Sequence, residues 1–93
     1  MIKVYEMHVI FTGIVQGVFF RALIKKNADK LKIKGFVKNN IDLSVELIAV
    51  GEKKDLEQLL DEIKKNSGQA HLKDVKVRFQ ETKKLFYSFE IRY

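Results

Sequence analysis

The order in which two periodicities follow one another along the chain restricts its fold more than any single residue does. In "YEMHVIFTG", Tyr5–Gly13, the residues Met7, Val9 and Phe11 fall on one face of an alternating stretch, as in a half-buried strand. From Phe20 the spacing changes. Phe20, Ile24, Ala28 and Leu31 recur at helical intervals with lysines between them, which gives an amphipathic helix of about three turns. "KGFVKNN" and "LSVELIAV" return to alternation, with Val45, Leu47 and Ala49 as the inner row of the second, and the polar link "NNID" is short enough for a hairpin. Gly51 closes that strand. Leu56, Leu59, Leu60 and Ile63 then stand at i, i+3, i+4 and i+7, the clearest helical stripe in the chain, ended by Asn66, Ser67 and Gly68. Alternation resumes in "LKDVKVRF", Leu72–Phe79, through Val75, Val77 and Phe79, and again in "FYSFEIRY", Phe86–Tyr93.

The resulting order, β-α-β-β-α-β with an extra C-terminal strand, predicts an α+β ferredoxin-like sandwich: a mostly antiparallel sheet with two helices on one face. No repeat, linker or low-complexity tract divides the 93 residues, so one domain over residues 1–93 is expected. A chain of this size buries roughly 60–65% of its unfolded surface. Such a fold hosts many unrelated activities and names none of them. Cysteine is absent, which excludes disulfides and thiolate metal sites. "MIKVYEMHVI" lacks the apolar block of a signal peptide, and no window approaches the about 20 apolar residues of a membrane span, so a soluble cytoplasmic protein is expected. Eighteen basic against twelve acidic residues give a net charge of +6. That charge suits nucleic acid, a phosphate compound or a membrane surface, and equally a lysine-rich surface that serves only solubility.

One stretch fits neither periodicity. "GIVQGVFFR", Gly13–Arg21, places two glycines four apart in an apolar run closed by a single arginine. A strand that passes through a glycine loop into a helix offers free backbone N–H groups at the helix start, where the helix dipole also favours an anion. Gly13 and Gly17 permit backbone conformations closed to other residues and let a ligand approach. Val15, Gln16, Val18 and Phe19 would contribute mainly their N–H groups, so their side chains need not be polar. Arg21 falls in the first helical turn, where a positive charge costs about 0.3–1 kcal/mol unless an anion is bound beside it. A guanidinium can grip phosphate oxygens with two bonds at once. The same residues also admit a plainer reading, in which glycines ease a strand-to-helix turn and the arginine lies in solvent.

With "GFVKNNIDLSVELIAVG", this stretch closely resembles the two signatures of the acylphosphatase family. It matches G-x-V-Q-G-V-x-F-R at every fixed position. The second signature is carried by Gly35–Asn39, by Val45–Glu46 and by Gly51, and with the ending "FEIRY" the similarity spans nearly the whole chain. The resemblance implies the ferredoxin-like sandwich reached above, no metal and no organic cofactor. It also implies hydrolysis of the carboxyl–phosphate bond of small acyl phosphates. By similarity the backbone of Gln16, Gly17, Val18, Phe19 and Phe20 cradles the phosphate, Arg21 holds its charge, and Asn39 orients the attacking water. A monomer acting on a small-molecule acyl phosphate, without nucleic-acid or membrane partners, is expected.

The chain departs from the family pattern at the hairpin, where Asp42-Leu43 stands for the usual Asp-Gly. Leucine resists the positive φ of a tight turn, so Asn40 is expected to take the left-handed position and shift the turn toward Asn39. Lys32 stands where the first helix often ends in glycine, and Gly68-Gln69 replaces a common Gly-Pro. His8 alternates onto the face opposite Met7 and Val9 and reads as an exposed strand residue, and His71 as a loop residue. Phe19, Phe20 and Phe36 read as core or rim packing, and Glu46 as the solvent-side neighbour of Val45. Two rival functions remain at this level. One is a ferredoxin-like RNA-binding module, which "KGFVKN" superficially echoes although Lys38 and Asn40 occupy the places of stacking rings. The other is a phosphate-binding module without turnover.

Overall fold

The structure, a computed structural model, describes residues 3–93; Met1 and Ile2, which open the stretch read above for a signal peptide, lie outside it. The elements are β1 (Tyr5–Ile14), α1 (Phe20–Lys30), β2 (Lys34–Asn39), β3 (Val45–Gly51), α2 (Lys53–Lys65), β4 (His71–Glu81) and β5 (Phe89–Arg92). The five strands form one sheet in the order β4-β1-β3-β2-β5. Every neighbouring pair is antiparallel except β2 and β5, which run parallel. This is the sandwich that the periodicities predict.

Strand register stacks the apolar rows. Met7 lies opposite Ala49, Val9 opposite Leu47 and Phe11 opposite Val45, and Val37 of β2 continues the row on the far side of Leu47. All of these are fully buried, together with Ile24 and Ala28 of α1 and Leu56, Leu59 and Ile63 of α2. Each large apolar side chain so placed contributes roughly 1.5–3 kcal/mol relative to exposure, and these residues form the core between helices and sheet. Asn39 pairs with Val45, so it belongs to the same inward row at the end of β2.

The helix α1 ends in a tight reversal. Lys32 holds a left-handed φ of 58° while its N–H donates to Asp29 O and the Ile33 N–H donates to Ala28 O. That Schellman arrangement satisfies the last carbonyls of the helix without the glycine usual at this position.

The alternation of "FYSFEIRY" predicts a strand from Phe86, but β5 begins only at Phe89. The difference has a physical cause. Residues 82–88 carry the chain from β4 at one edge of the sheet to β5 at the other. This crossing is tied down by bonds from the Thr82 N–H to Val4 O and from the Gly35 N–H to Ser88 O, each 3.0 Å long. The Phe86 ring is spent on an edge contact with Phe36, at 6.0 Å between centroids. At the opposite edge β4 is the longest strand and buries none of its residues fully, although Leu72, Val75 and Phe79 lean on the core.

Candidate active site

The two glycines of "GIVQGVFFR" do different work. Gly13 sits where the pairing of β1 with β4 shifts register, at φ 127°. A Cβ there would collide with the His71 carbonyl and the Lys73 N–H, so Gly13 is needed for close approach of β4. Gly17 has φ 73°, and a Cβ there would meet nothing within 4 Å. Its conformational freedom faces open space.

Phe19 repeats the left-handed conformation at φ 60°, while Val18 between them does not. Alternation of this kind makes a concave nest of N–H groups, a form suited to anions. Phe19 is also the N-cap of α1, with no side-chain capping bond and no acidic residue in the first turn. A non-glycine residue in this conformation costs roughly 1–2 kcal/mol, and Phe19 is 82% exposed, so burial does not offset the strain.

Phe20 does the anchoring. Its ring is buried and stands edge-on to Phe11, at 5.1 Å between centroids and 89° between planes, which fixes the first turn of α1 to the end of β1. Arg21 follows directly. Its Nη1 donates to Arg92 O at 3.1 Å, and its guanidinium carbon lies 4.7 Å from the centre of the Tyr93 ring. The end of β5 therefore holds the arginine. Sequence reading missed this contribution because a backbone carbonyl leaves no residue-type signature.

Gly17, Phe19, Phe20, Arg21 and Asn39 line one cleft of about 330 Å³, walled by Val15, Ile91 and Tyr93. Asn39 contributes to this lining, and its Oδ1 is buried without a hydrogen-bond donor from the protein. A buried acceptor left in that condition costs about 1–3 kcal/mol. Gln16 and Val18 do not line the cleft; Val18 packs partly against the core. The polarity of the Gln16 side chain, which the sequence reading did not require, is used: its Nε2 donates to Asn40 O and to Ser44 O, both at 2.9 Å.

The hairpin after Asn39 also differs from expectation. Leu43 itself takes the left-handed position, at φ 75°, and Asn40 does not. The reason is a dense set of closing bonds. Leu43 N–H donates to Asn40 O at 3.1 Å and Asn40 N–H to Ser44 O at 2.9 Å. Asp42 Oδ1 accepts from the Ser44 hydroxyl at 2.6 Å and from the Ser44 N–H at 3.0 Å, and Asn40 Nδ2 donates to Ser44 Oγ at 3.0 Å. Those two bonds from Ser44, the hydroxyl first, hold the Asp42 carboxyl below its ordinary range.

Comparison with known proteins decides the family. A family model described as Acylphosphatase matches residues 7–91. An acylphosphatase of Bacillus licheniformis is 42% identical over 90 residues, which are 95% of this chain and 98% of that relative. The chain belongs to the acylphosphatase family. Among solved structures, the acylphosphatase from Bacillus subtilis superposes with a TM-score of 0.91 at 32% identity, covering 96% of this chain and 99% of the other. An acylphosphatase from Coxiella burnetii gives 0.83 at 33% identity, covering 97% and 94%.

Elsewhere in this acylphosphatase-family enzyme, two histidine readings change. His71 opens β4 instead of lying in a loop. His8 is half-buried on the face of the sheet away from the helices, its Nε2 2.6 Å from Glu46 Oε2, so neither His8 nor Glu46 is merely solvated. On that open face the central strands present His8, Ile10, Glu46 and Ile48. Phe36 stands on β2 with the Arg92 guanidinium 3.9 Å above its ring and Phe86 at its edge, so its face is already occupied. Among the described residues no three carboxylate or histidine side chains gather as a metal site would require, and no helix is long and apolar enough to cross a membrane.

Proposed function

We infer that the chain hydrolyses small acyl phosphates to a carboxylate and inorganic phosphate at the cleft between α1 and the ends of β2 and β5. The observation that carries this reading is one cleft that joins Asn39, whose Oδ1 has no protein donor, with Arg21 and with the left-handed residues Gly17 and Phe19. An amide oxygen accepts hydrogen bonds and is too weak a base to take a proton, so its role is to accept from a water molecule and fix its direction. The N–H groups of Gly17, Phe19 and Phe20, the loop residues that line the cleft, hold the phosphate, and Arg21 meets its charge.

The water oxygen forms its bond to phosphorus as the bond from phosphorus to the acyl oxygen breaks. The electron pair leaves on the carboxylate, and the proton lost by the water passes from the phosphate to solvent. The leaving group is already good, so positioning and charge stabilisation supply most of the rate. Charge spreads over the equatorial oxygens, which suits several backbone donors and one guanidinium. Apart from Arg21, which meets the phosphate, the cleft offers the acyl group the apolar walls of Val15, Ile91 and the rings of Phe19 and Tyr93.

The test is release of phosphate from benzoyl phosphate. Arg21→Ala and Asn39→Ala are each expected to lower kcat/KM by about 100-fold or more, the scale of losing one electrostatic or positioning group. Wild-type rates in both variants would overturn the assignment of roles. Phosphate binding without any turnover by the wild-type chain would overturn the activity itself.

A further inference from the structure

The loop between β1 and α1 and the hairpin between β2 and β3 are joined through one side chain. Gln16 Nε2 donates to Asn40 O and Ser44 O, each at 2.9 Å, across 24 and 28 positions of sequence. A primary amide nitrogen carries two N–H donors, so this one is fully used. The carbonyls it meets are the ones that close the turn: Asn40 O also accepts from the Leu43 N–H, and Ser44 O from the Asn40 N–H. Each carbonyl oxygen has two lone pairs, and Gln16 takes the second of both. Asn39 immediately precedes this clamped turn, and its own Oδ1 is held by no donor. The direction of that oxygen is therefore set through the backbone that Gln16 fastens.

We propose that the Gln16 side chain is a positioning residue: by clamping the turn after Asn39 it couples the phosphate-holding loop to the amide that aims the water. The proposal rests on the reading of Asn39 given above. Without the clamp, the N–H groups of Gly17, Phe19 and Phe20 and the Arg21 guanidinium keep their places in the cleft while the Asn39 amide loosens. The chemical step then suffers and phosphate affinity does not. The loop and the hairpin are separate elements that must agree to within a fraction of an ångström, and a two-pronged donor on one of them enforces that agreement.

Gln16→Met keeps the length of the side chain and removes both donors. It is expected to lower kcat for benzoyl phosphate by about 10- to 100-fold, the cost of a misplaced catalytic group. KM and the inhibition constant of inorganic phosphate should stay within about threefold of wild type, because ground-state binding is untouched. In the Gln16→Met background Asn39→Ala should cost far less than in the wild type, since the two residues act as a unit. An unchanged kcat, additive losses, or parallel weakening of KM and phosphate inhibition at full kcat would each overturn the proposal.

Amide hydrogen exchange distinguishes its failure from that of the reading beneath it. Faster exchange at the Asn40 and Leu43 N–H groups of Gln16→Met is expected with or without turnover, and unchanged protection removes the clamp. Full activity in Asn39→Ala instead removes the function on which the clamp acts. Should Gln16→Met fail to fold, Gln16→Ala is read by the same measurements.

Discussion

Leu43 keeps a φ of 75° with 68% of its surface in solvent, so nothing apolar recovers the strain. What holds it is the polar closure around it, from Asn40, Asp42 and Ser44. Replacing Leu43 by glycine removes roughly 1–2 kcal/mol of strain and gives back part of it through the freer unfolded chain. The expected gain is about 0.5–1 kcal/mol, or a rise in Tm of about 2–8 °C by thermal unfolding, and a lower Tm would contradict the account. Asp42 gives the same turn a pH dependence. Its carboxyl titrates lower in the fold than in the unfolded chain, so the stabilisation is present above the unfolded value of about 3.9 and is lost as pH falls through the folded one. Protection of the Ser44 amide against exchange should therefore weaken below about pH 4, and that dependence should vanish in Asp42→Asn. The sequence indicated that this turn was unusual and pointed to the wrong residue. Intrinsic preference favours asparagine in the left-handed region, and only the hydrogen bonds of the folded hairpin reverse the choice.

The elements were largely legible because burial imposes a period on each of them. Where burial ends, so did legibility. Phe86 continues an alternation that the crossing chain does not honour, since its ring is taken by Phe36. Gln16 stood in a recognised motif, yet its partners lie on another element and are backbone atoms, which no pattern of residue types encodes. The same limit hid the grip of Arg92 O on Arg21. The join between β1 and α1 depends on the Phe11–Phe20 contact, which both fills the core and sets the first helical turn. Phe20→Ala is expected to cost about 3–5 kcal/mol in a urea unfolding curve. A loss below 1 kcal/mol would mean that the contact does not secure the helix.

As a whole molecule, the sheet is assembled from distant pieces: β1 lies between β3 and β4, and β5 closes the far edge beside β2. Non-local pairing of this kind places refolding in the range of milliseconds to seconds. The sequence contains no proline. Refolding from urea should therefore be free of the phase of tens of seconds that prolyl isomerisation imposes, and a stopped-flow trace with such a phase would refute this. The outer edge of the sheet has a consequence of another kind. Along β4, one row of backbone donors and acceptors is left without a partner strand in the sheet, the form of surface on which cross-β aggregates seed. Lys73, Asp74, Lys76, Arg78 and Glu81 crowd that strand, and none of them is buried. Any chain adding to it would have to strip water from those charges, so the longest strand of the sheet is a poor template for a fibril.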